Sequence, residues 1–504
     1  MTYSPRQIHK QLKWLSVASL ALIGLSLLLA WLDLRGFLNH DSEFLGAKAL
    51  EALSGAEPRY KAIISVFPPL LIYGTLLLGS PVTLQVLLGA FLIGLLTWAI
   101  GDLSQPKTWR IVWTTLILFH PAFGLMLLRS PAWVMATIFL ILLMTLLWAL
   151  AKPESPPLPY VLLLVLLGLG LAPLMLLRYE SWFILPVIAI ILAVLFEQES
   201  WGFKSTAILV TLFMSLVCIG TWLYINWLFT GDAYHFLNSP YSSLQLAETK
   251  AFLQQEGFWA SWLRSFTWIV QVVPVYLLVV CWTLWQHKRW GLTILILLIP
   301  VIFLVAAFCQ GTFMPEVSRE GIFLGIIPLI VQRFPPAKLW QRLVFTGALV
   351  TSIMCSGYAL QQNQFVPEET FLWRQLSGQA LPSSLPVQQW VQQKQAQRQI
   401  AQVLYEKLLL GQRILMDDAI NFPVIYLLNN SSYFILPYQN EFFLALQQPD
   451  LFADFILVPG PQTTGNEQDR VLSYWPQLAE TTLPGFQEVF GTPYYRLLQR
   501  LNPS

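Results

Sequence analysis

Charged residues are scarce in this sequence. Only 11% of its 504 residues are charged, whereas ordinary soluble domains carry roughly 25%. The mean hydropathy is +0.59, which is too apolar for a surface that faces water on every side. This composition excludes a wholly soluble globular protein and favours a membrane protein.

Three further absences exclude other classes of protein. The net charge of +2 is spread along the chain, so no basic cluster predicts binding to nucleic acid. The four cysteines include no Cys-x-x-Cys pair, so neither a zinc site nor a disulfide framework is predicted. The C-terminal segment has no glycine-rich phosphate loop, which argues against a nucleotide-binding domain there.

Apolar runs of about 20 residues recur before residue 360, and each can cross a hydrocarbon core of about 30 Å as a helix. The first run follows a basic N-terminus and is not followed by a small-residue cleavage site, so we predict an uncleaved helix that starts in the cytoplasm. The runs are 12–32, 62–79, 82–100, 109–128, 132–150, 158–176, 181–196, 205–229, 267–285, 290–308, 320–332 and 342–360.

Basic loops decide which of these runs cross the membrane. Loops rich in Lys and Arg collect on the cytoplasmic side, and the loops 286–289 and 333–342 cannot lie there together with the N-terminus if all the runs cross. We predict that run 62–79 does not cross but forms a re-entrant or interfacial helix on the outer side, because the prolines of Phe67-Pro68-Pro69 break its helix. The prediction is therefore a polytopic helical bundle of about eleven spans, in an inner or plasma membrane, with a cytoplasmic N-terminus and an extracytoplasmic C-terminus.

The composition changes after about residue 360, which predicts a membrane domain over 1–360 and a soluble extracytoplasmic domain over 361–504. Strands are predicted at 413–417, 433–436 and 455–458, a helix at 422–428, and a hairpin from 487–489 and 494–498. Strands that alternate with helices are typical of a small α/β domain. Asp417-Asp418 is either an active pair or a strand-end turn, and the turn is favoured because Asp commonly closes strands.

The first outer loop carries the most informative carboxylates. Asp41 and Glu43 precede an amphipathic helical pattern in which Phe44, Ala47 and Leu50 share one face. One interpretation makes Asp41 the N-cap of that helix. The other makes it a functional group, and the wider sequence bears on that choice.

The order of several short motifs resembles that of the GT-C fold integral-membrane glycosyltransferases, which use polyprenyl-phosphate-linked sugars. In that family an acidic motif follows the first helix, and then come an amphipathic helix and a proline-containing entry to a partly embedded helix. Asp41 and Glu43 stand where the acidic pair would be, split by Ser42, and Ser65-Val66-Phe67-Pro68-Pro69 stands at the entry. The resemblance covers about 360 residues in topology but only a dozen in motif.

Later motifs extend the resemblance. His120-Pro121 and Ser130-Pro131 are similar to the family's short outer turn, although the acidic residue found there in many members is missing. Arg178-Tyr179-Glu180 is similar to an Arg-Pro-Glu-Gly turn, with Tyr179 and Ser181 replacing Pro and Gly. Ser318-Arg319-Glu320 resembles a late arginine motif ahead of a proline-bearing helix.

The resemblance implies an enzyme that moves a hexose or pentose from a polyprenyl-phosphate-linked sugar to a hydroxyl of an extracytoplasmic lipid, glycan or protein. Asp41 would be the catalytic base with Glu43 assisting, since a partly desolvated carboxylate can have the raised pKa that this role requires. Arg178 and Arg319 would bind the donor phosphate, because the arginine fork can contact two phosphate oxygens. Each arginine has an alternative role, as a snorkelling side chain or as a structural ion pair, the latter with Glu180 for Arg178.

Substrate contacts are predicted for His40, Arg59, Glu180 and Tyr241, and Arg59 is also a weaker alternative as a phosphate ligand. The aromatic and polar loop that contains Tyr241 suits sugar contact, although plain anchoring at the membrane interface is favoured for it. No cofactor is predicted with certainty. A divalent metal is left open, since His40, Asp41 and Glu43 have donor atoms but no spacing that demands one.

Two rival hypotheses belong to other functional classes. A transporter or flippase of lipid-linked substrates usually has ionisable residues at mid-membrane and internal inverted repeats, and the sequence has neither. A non-catalytic assembly factor would use the outer tail as a docking surface, and the altered motifs leave room for it.

Overall fold

The computed structural model describes residues 5–35, 37, 39–56, 60–64, 69–103, 105–151, 158–239, 258–286, 298, 316–333, 335–362, 366–381, 384–409, 411–463 and 468–501. The chain divides into two compact units. Unit 1 contains residues 1–31, 84–223 and 252–381, and unit 2 contains residues 32–83, 224–251 and 382–504.

The structure is predominantly helical, with a small C-terminal sheet. The helices are α1 (Pro5–Leu34), α2 (His40–Ser54), α3 (Lys61–Ile64), α4 (Pro69–Leu78), α5 (Pro81–Gly101), α6 (Lys107–Leu118), α7 (Pro121–Arg129), α8 (Pro131–Leu150), α9 (Tyr160–Leu177), α10 (Ile184–Leu195), α11 (Trp201–Thr230), α12 (His235–Asn238), α13 (Phe258–Val272), α14 (Pro274–Gln286), α15 (Gly321–Arg333), α16 (Leu339–Gln362), α17 (Pro367–Ser377), α18 (Leu385–Lys407), α19 (Asp418–Leu428), α20 (Phe442–Gln447), α21 (Pro449–Phe452) and α22 (Arg470–Tyr474). The strands are β1 (Ile414–Leu415), β2 (Phe434–Ile435), β3 (Phe455–Pro459), β4 (Phe486–Gly491) and β5 (Tyr495–Arg500). Short 3₁₀ turns cover Tyr179–Phe183, Ser318–Glu320 and Pro476–Ala479.

Six of the described helices are long and apolar enough to cross a membrane, or up to eight spans result if each of two bent pairs forms one span. The six are α1 from Ser16 onward, α5, α8, α9, α11 and α16. These helices indicate a membrane protein, as the sequence predicts. The count of about eleven spans stays a prediction, since nearly all of run 290–308 lies outside the described residues.

In each of the two bent pairs, the second helix begins with a proline, Pro121 in α7 and Pro274 in α14. The pair α6 and α7 bends by 55° around His120-Pro121, and the pair α13 and α14 bends by 102° around Val273-Pro274. Proline lacks the N–H that would continue the helix, and it disfavours helical geometry in the residue before it. Runs 109–128 and 267–285, which the sequence presents as continuous, are therefore each divided into two helices.

Run 62–79 contains the short helices α3 and α4. The ten residues of α4 reach only about 15 Å at 1.5 Å per residue. That is half of the hydrocarbon thickness of about 30 Å. The length of this helix agrees with the prediction that the run does not cross the membrane.

Unit 1 has a core in which α8 packs against both α9 and α15, while α7 contacts α15 and the turn Ser318–Glu320. Gly325 lets α15 approach α8 closely, because a Cβ atom at this position would overlap the side chain of Thr137. This packing fixes the ends of α7 and α9 and the start of α15 relative to one another.

Unit 2 contains one five-stranded sheet with the order β2-β1-β3-β5-β4. Strands β2, β1 and β3 are parallel, and β5 runs antiparallel to both β3 and β4. The predicted strands, the helix after the first of them and the closing hairpin are all confirmed.

Side chains alternate between the two faces of this sheet, as the pleat of a strand requires. Ile414, Phe434 and Phe455 belong to a core cluster that also contains residues of α2, α18 and α19. Their neighbours Leu415 and Ile456 belong to a second cluster, with residues of α20 and α22. The core of unit 2 therefore includes α2, which follows α1 in the sequence, together with the C-terminal segment.

Candidate functional site

Three arginines lie at neighbouring helix ends in unit 1. Arg129 is the last residue of α7, Arg178 follows the end of α9, and Arg319 lies in the 3₁₀ turn that leads into α15. The guanidinium of Arg178 stacks over Trp133, 3.9 Å from the ring centroid. Since Trp133 is in the first turn of α8, the end of α9 and the start of α8 lie at the same end of the helix bundle.

Glu316 is a carboxylate on which the charges of these three arginines act. Its side chain forms an ion pair with Arg129 at 3.5 Å. Burial opposes ionisation of Glu316, but the positive charges of Arg129, Arg319 and Arg178 outweigh that effect and hold its pKa below the usual value. The two arginines that the sequence predicts as phosphate ligands thus act on one anionic group in the same unit.

Arg129 is the residue of this group that sequence reasoning missed. Its Nε donates a hydrogen bond of 2.8 Å to Glu368, and its Nη1 donates bonds of 3.3 Å to Glu369 and 3.1 Å to the hydroxyl of Ser318. These bonds engage three of its five N–H donors and tie Arg129 to the turns around it. The available signal was an arginine at the end of an apolar run, which also fits a snorkelling side chain.

Arg319 has a protein partner of its own. Its Nε and Nη2 lie 3.4 and 3.3 Å from Oε1 of the neighbouring Glu320, which is long for a charge-assisted hydrogen bond. Glu320 is buried, and its Oε2 has no hydrogen-bond partner among the described residues. The ion-pair interpretation of Arg319 therefore has a specific partner, whereas the side chain of Glu180, the predicted partner of Arg178, lies outside the described residues.

Asp41, Glu43 and His40 belong to unit 2 and lie in the first turn of α2. The N-cap of this helix is Asn39, whose side-chain oxygen accepts a 3.0 Å hydrogen bond from the backbone N–H of Asp41. The interpretation of Asp41 as the N-cap is therefore wrong. Asp41 is half-buried, and His40 is exposed and packs its ring edge against Phe422.

Glu43 lies in a different environment from Asp41, although only Ser42 separates them. Its side chain is fully buried and forms an ion pair with Lys394 of α18. A buried carboxylate with a lysine partner stabilises the packing of α2 against α18. This contact favours a structural role for Glu43.

A second buried ionic group lies one turn further along α2. Lys48 donates to Glu51 at 3.0 Å and to Asp418 at the start of α19, and all three side chains are fully buried. Burial raises the pKa of Glu51 well above its usual value, and the charge of Lys48 opposes that rise. The spacing of Lys48 and Glu51 is visible in the sequence, but Asp418 lies 370 residues away.

Asp417 closes β1 as the favoured turn interpretation predicts. It is the N-cap of α19, and its two oxygens accept hydrogen bonds of 2.9 Å from the N–H of Ala419 and 2.8 Å from the N–H of Arg470. Burial and then the neighbouring Asp418 raise its pKa to about 6, while the two backbone bonds oppose the rise. These bonds account for the position of Asp417 without a catalytic role.

Two further predicted site residues, Arg59 and Tyr241, lie outside the described residues. Within the described part of the chain, no group of three or more His, Cys, Asp or Glu side chains is arranged to hold a metal ion.

No protein-family model matches this sequence, and a search of curated proteins finds no similar one.

Proposed function

We propose that this chain is a membrane glycosyltransferase of the GT-C type, which transfers a sugar from a polyprenyl-phosphate donor to an acceptor hydroxyl. The reaction takes place at the outer side of an inner or plasma membrane, with about eleven spans, a cytoplasmic N-terminus and an extracytoplasmic C-terminal domain. The acceptor is a lipid, glycan or protein, and membrane lipids surround the helices.

The observation that carries this proposal is the arginine group around Glu316. Arg178 and Arg319 come from distant parts of the sequence, yet the positive charge of both lowers the pKa of the same carboxyl group. A group of positive charges that stabilises a carboxylate can also stabilise a phosphate, whose several oxygens accept hydrogen bonds from guanidinium groups. Arg129 holds the surrounding turns in place through its bonds to Glu368, Glu369 and Ser318.

Phosphate binding matters for the chemistry as well as for affinity. In the transfer, the bond between the anomeric carbon and the phosphate oxygen breaks, and the acceptor oxygen forms the new bond to that carbon. The polyprenyl phosphate leaves with the bonding electrons, and the acceptor proton passes to a base. Arginines at the leaving phosphate stabilise the charge that grows there in the transition state.

Asp41 is the proposed base. It is half-buried in the first turn of α2, and its carboxylate is not used as the helix cap. We assign Glu43 to the structure of unit 2 on the strength of its contact with Lys394, so it is no longer proposed as a second catalytic carboxylate.

Arginine variants test the proposed phosphate site. Arg178→Gln and Arg319→Gln each remove a charged donor, and a hydrogen bond to a charged group is worth about 1.5–3 kcal/mol. We expect kcat/KM for the polyprenyl-phosphate sugar to fall by about 10- to 150-fold, since about 1.4 kcal/mol corresponds to a factor of ten. The matched control is Arg333→Gln at the exposed end of α15, which should stay within about twofold of wild type. Equal kcat/KM values for all three variants would show that Arg178 and Arg319 do not bind the donor.

The role of Asp41 has its own test. Purified Asp41→Asn protein should lose at least about 100-fold in kcat if the carboxylate takes the acceptor proton. The matched control is Asp450→Asn, which removes an exposed carboxylate from the first turn of α21 and should stay within about twofold of wild type. Activity of Asp41→Asn within a few-fold of wild type would exclude Asp41 as the base.

A further inference from the structure

Glu369 lies at the centre of the contacts that hold the Arg319 turn. The residue is in the first turn of α17 and is fully buried. Its Oε2 accepts a 2.8 Å hydrogen bond from the backbone N–H of Val317, and its Oε1 accepts one of 2.8 Å from the N–H of Ser318. A third bond of 3.3 Å comes from Arg129.

The two backbone N–H groups belong to consecutive residues immediately before Arg319. One carboxylate therefore fixes the orientation of two adjacent peptide groups at the point where the 3₁₀ turn starts. The orientation of these two peptide groups therefore influences the direction in which the side chain of the next residue, Arg319, extends. Since a buried N–H that loses its acceptor is destabilising, the contacts with Glu369 hold the turn in place.

Glu368 offers a close comparison. It is also buried, lies next to Glu369 in the same helix turn, and accepts a 2.8 Å hydrogen bond from Nε of Arg129. The two glutamates thus share Arg129, while the backbone N–H groups of Val317 and Ser318 donate to Glu369.

We propose that Glu369 is a positioning residue for donor binding: by holding the backbone N–H groups of Val317 and Ser318, it directs Arg319 toward the donor phosphate. This inference rests on the proposed function, because it assumes that Arg319 binds that phosphate. Glu369 itself does not touch the substrate in this scheme.

The experiment measures binding to the purified full-length protein in detergent with two probes, a polyprenyl phosphate and the corresponding uncharged polyprenol. Glu369→Gln supplies only one acceptor oxygen and places an NH₂ donor against the other N–H groups. We expect its dissociation constant for polyprenyl phosphate to rise by about tenfold, as for loss of a charge-assisted contact. Glu368→Gln keeps an acceptor for Arg129 and should stay within about threefold. Binding of polyprenol should be the same in all variants.

Glu369→Asp provides a second variant in case the glutamine protein does not fold. It keeps the charge but is shorter by one methylene group, so we expect a smaller loss of phosphate binding, about threefold. Recovery of most of the affinity in Glu369→Asp relative to Glu369→Gln would support positioning by the carboxylate. A loss of polyprenol binding that matches the loss of phosphate binding would instead indicate general disruption and overturn the inference.

The Arg319→Gln protein distinguishes failure of the positioning role of Glu369 from failure of the phosphate site. If Arg319→Gln weakens phosphate binding and neither variant of Glu369 does, the positioning role is wrong and the phosphate site stands. If Glu368→Gln weakens binding as much as Glu369→Gln, the effect acts through Arg129 and the inference is also wrong. If the wild-type protein binds phosphate and polyprenol equally well, the donor site is refuted and the role of Glu369 with it.

Discussion

Lys48 is the side chain whose removal should most damage unit 2. Its ammonium group donates to Glu51 and Asp418, and none of the three side chains is exposed to solvent. Lys48→Met keeps much of the length and the apolar stem but removes the charge. The substitution leaves two buried carboxylates near each other without a cation between them.

The expected cost follows from the burial of this group. Breaking a buried ion pair by removing one partner costs about 3–5 kcal/mol, because the remaining charge is neither solvated nor paired. At about 1.4 kcal/mol per factor of ten, this amounts to a loss of two to four orders of magnitude in the equilibrium between folded and open forms. Without Lys48 the pKa of Glu51, already raised by burial, should rise further. A proton bound to Glu51 relieves the repulsion, so the cost should be smaller at low pH and grow as pH rises.

Hydrogen exchange of backbone amides measures this opening without a need for complete unfolding. We expect the protection of α2 and α19 to fall together by at least about 100-fold in Lys48→Met at neutral pH. Lys407→Met, at the exposed end of α18, is the matched control and should change by less than about threefold. Protection of α2 and α19 within tenfold of wild type would refute the argument that this ionic group holds the two helices together.

Other substitutions in unit 2 have distinct expected outcomes. Asp417→Asn keeps an acceptor for the cap of α19 but removes a carboxyl group whose pKa is raised to about 6. Because the folded protein holds that proton more tightly than the unfolded chain, wild-type stability should decrease as pH rises from about 4 through 6, and thermal unfolding of Asp417→Asn should show a weaker decrease; an unchanged pH profile would contradict this. Asn39→Ala removes the α2 cap and should cost about 1 kcal/mol, seen as faster hydrogen exchange in the first turn of α2, whereas unaltered exchange there would show that the cap is dispensable. Glu43→Gln leaves Lys394 buried beside an uncharged group and should cost about 3 kcal/mol of stability, while activity per folded molecule stays near wild type; a large fall in that activity would return Glu43 to the catalytic group.

The tail shows what local sequence patterns could predict. Short runs of residues with high strand propensity, bounded by turn residues, predict β1, β2, β3 and the closing hairpin. Such a prediction is possible because the signal for each strand lies in consecutive residues. Periodicity likewise predicts α2, with Ala47 on its buried face. The interpretation that makes Asp41 the N-cap is wrong because Asn39 is an equally good capping residue, and the backbone conformation at Asn39 decides between them.

Contacts between distant parts of the chain could not be predicted from the sequence. The ion pair between Lys48 and Asp418 spans 370 residues, and Glu369 reaches the N–H of Val317 across 52 residues. The sequence around a single glutamate or lysine does not indicate its partner, because an exposed and a buried charged residue look the same in a sequence. Arg178 and Arg319 were predicted only from the resemblance of their motifs, and their shared effect on Glu316 emerges from the fold.

The most direct test of the proposed function follows both products of the reaction in reconstituted vesicles. The purified protein is incubated with a polyprenyl-phosphate-linked sugar and a candidate acceptor, and mass spectrometry quantifies free polyprenyl phosphate and glycosylated acceptor. The proposal predicts that one polyprenyl phosphate is released for each sugar transferred, and that Arg319→Gln greatly reduces both. Movement of the intact lipid-linked sugar across the bilayer, with no polyprenyl phosphate released, would contradict the proposal and favour a transporter.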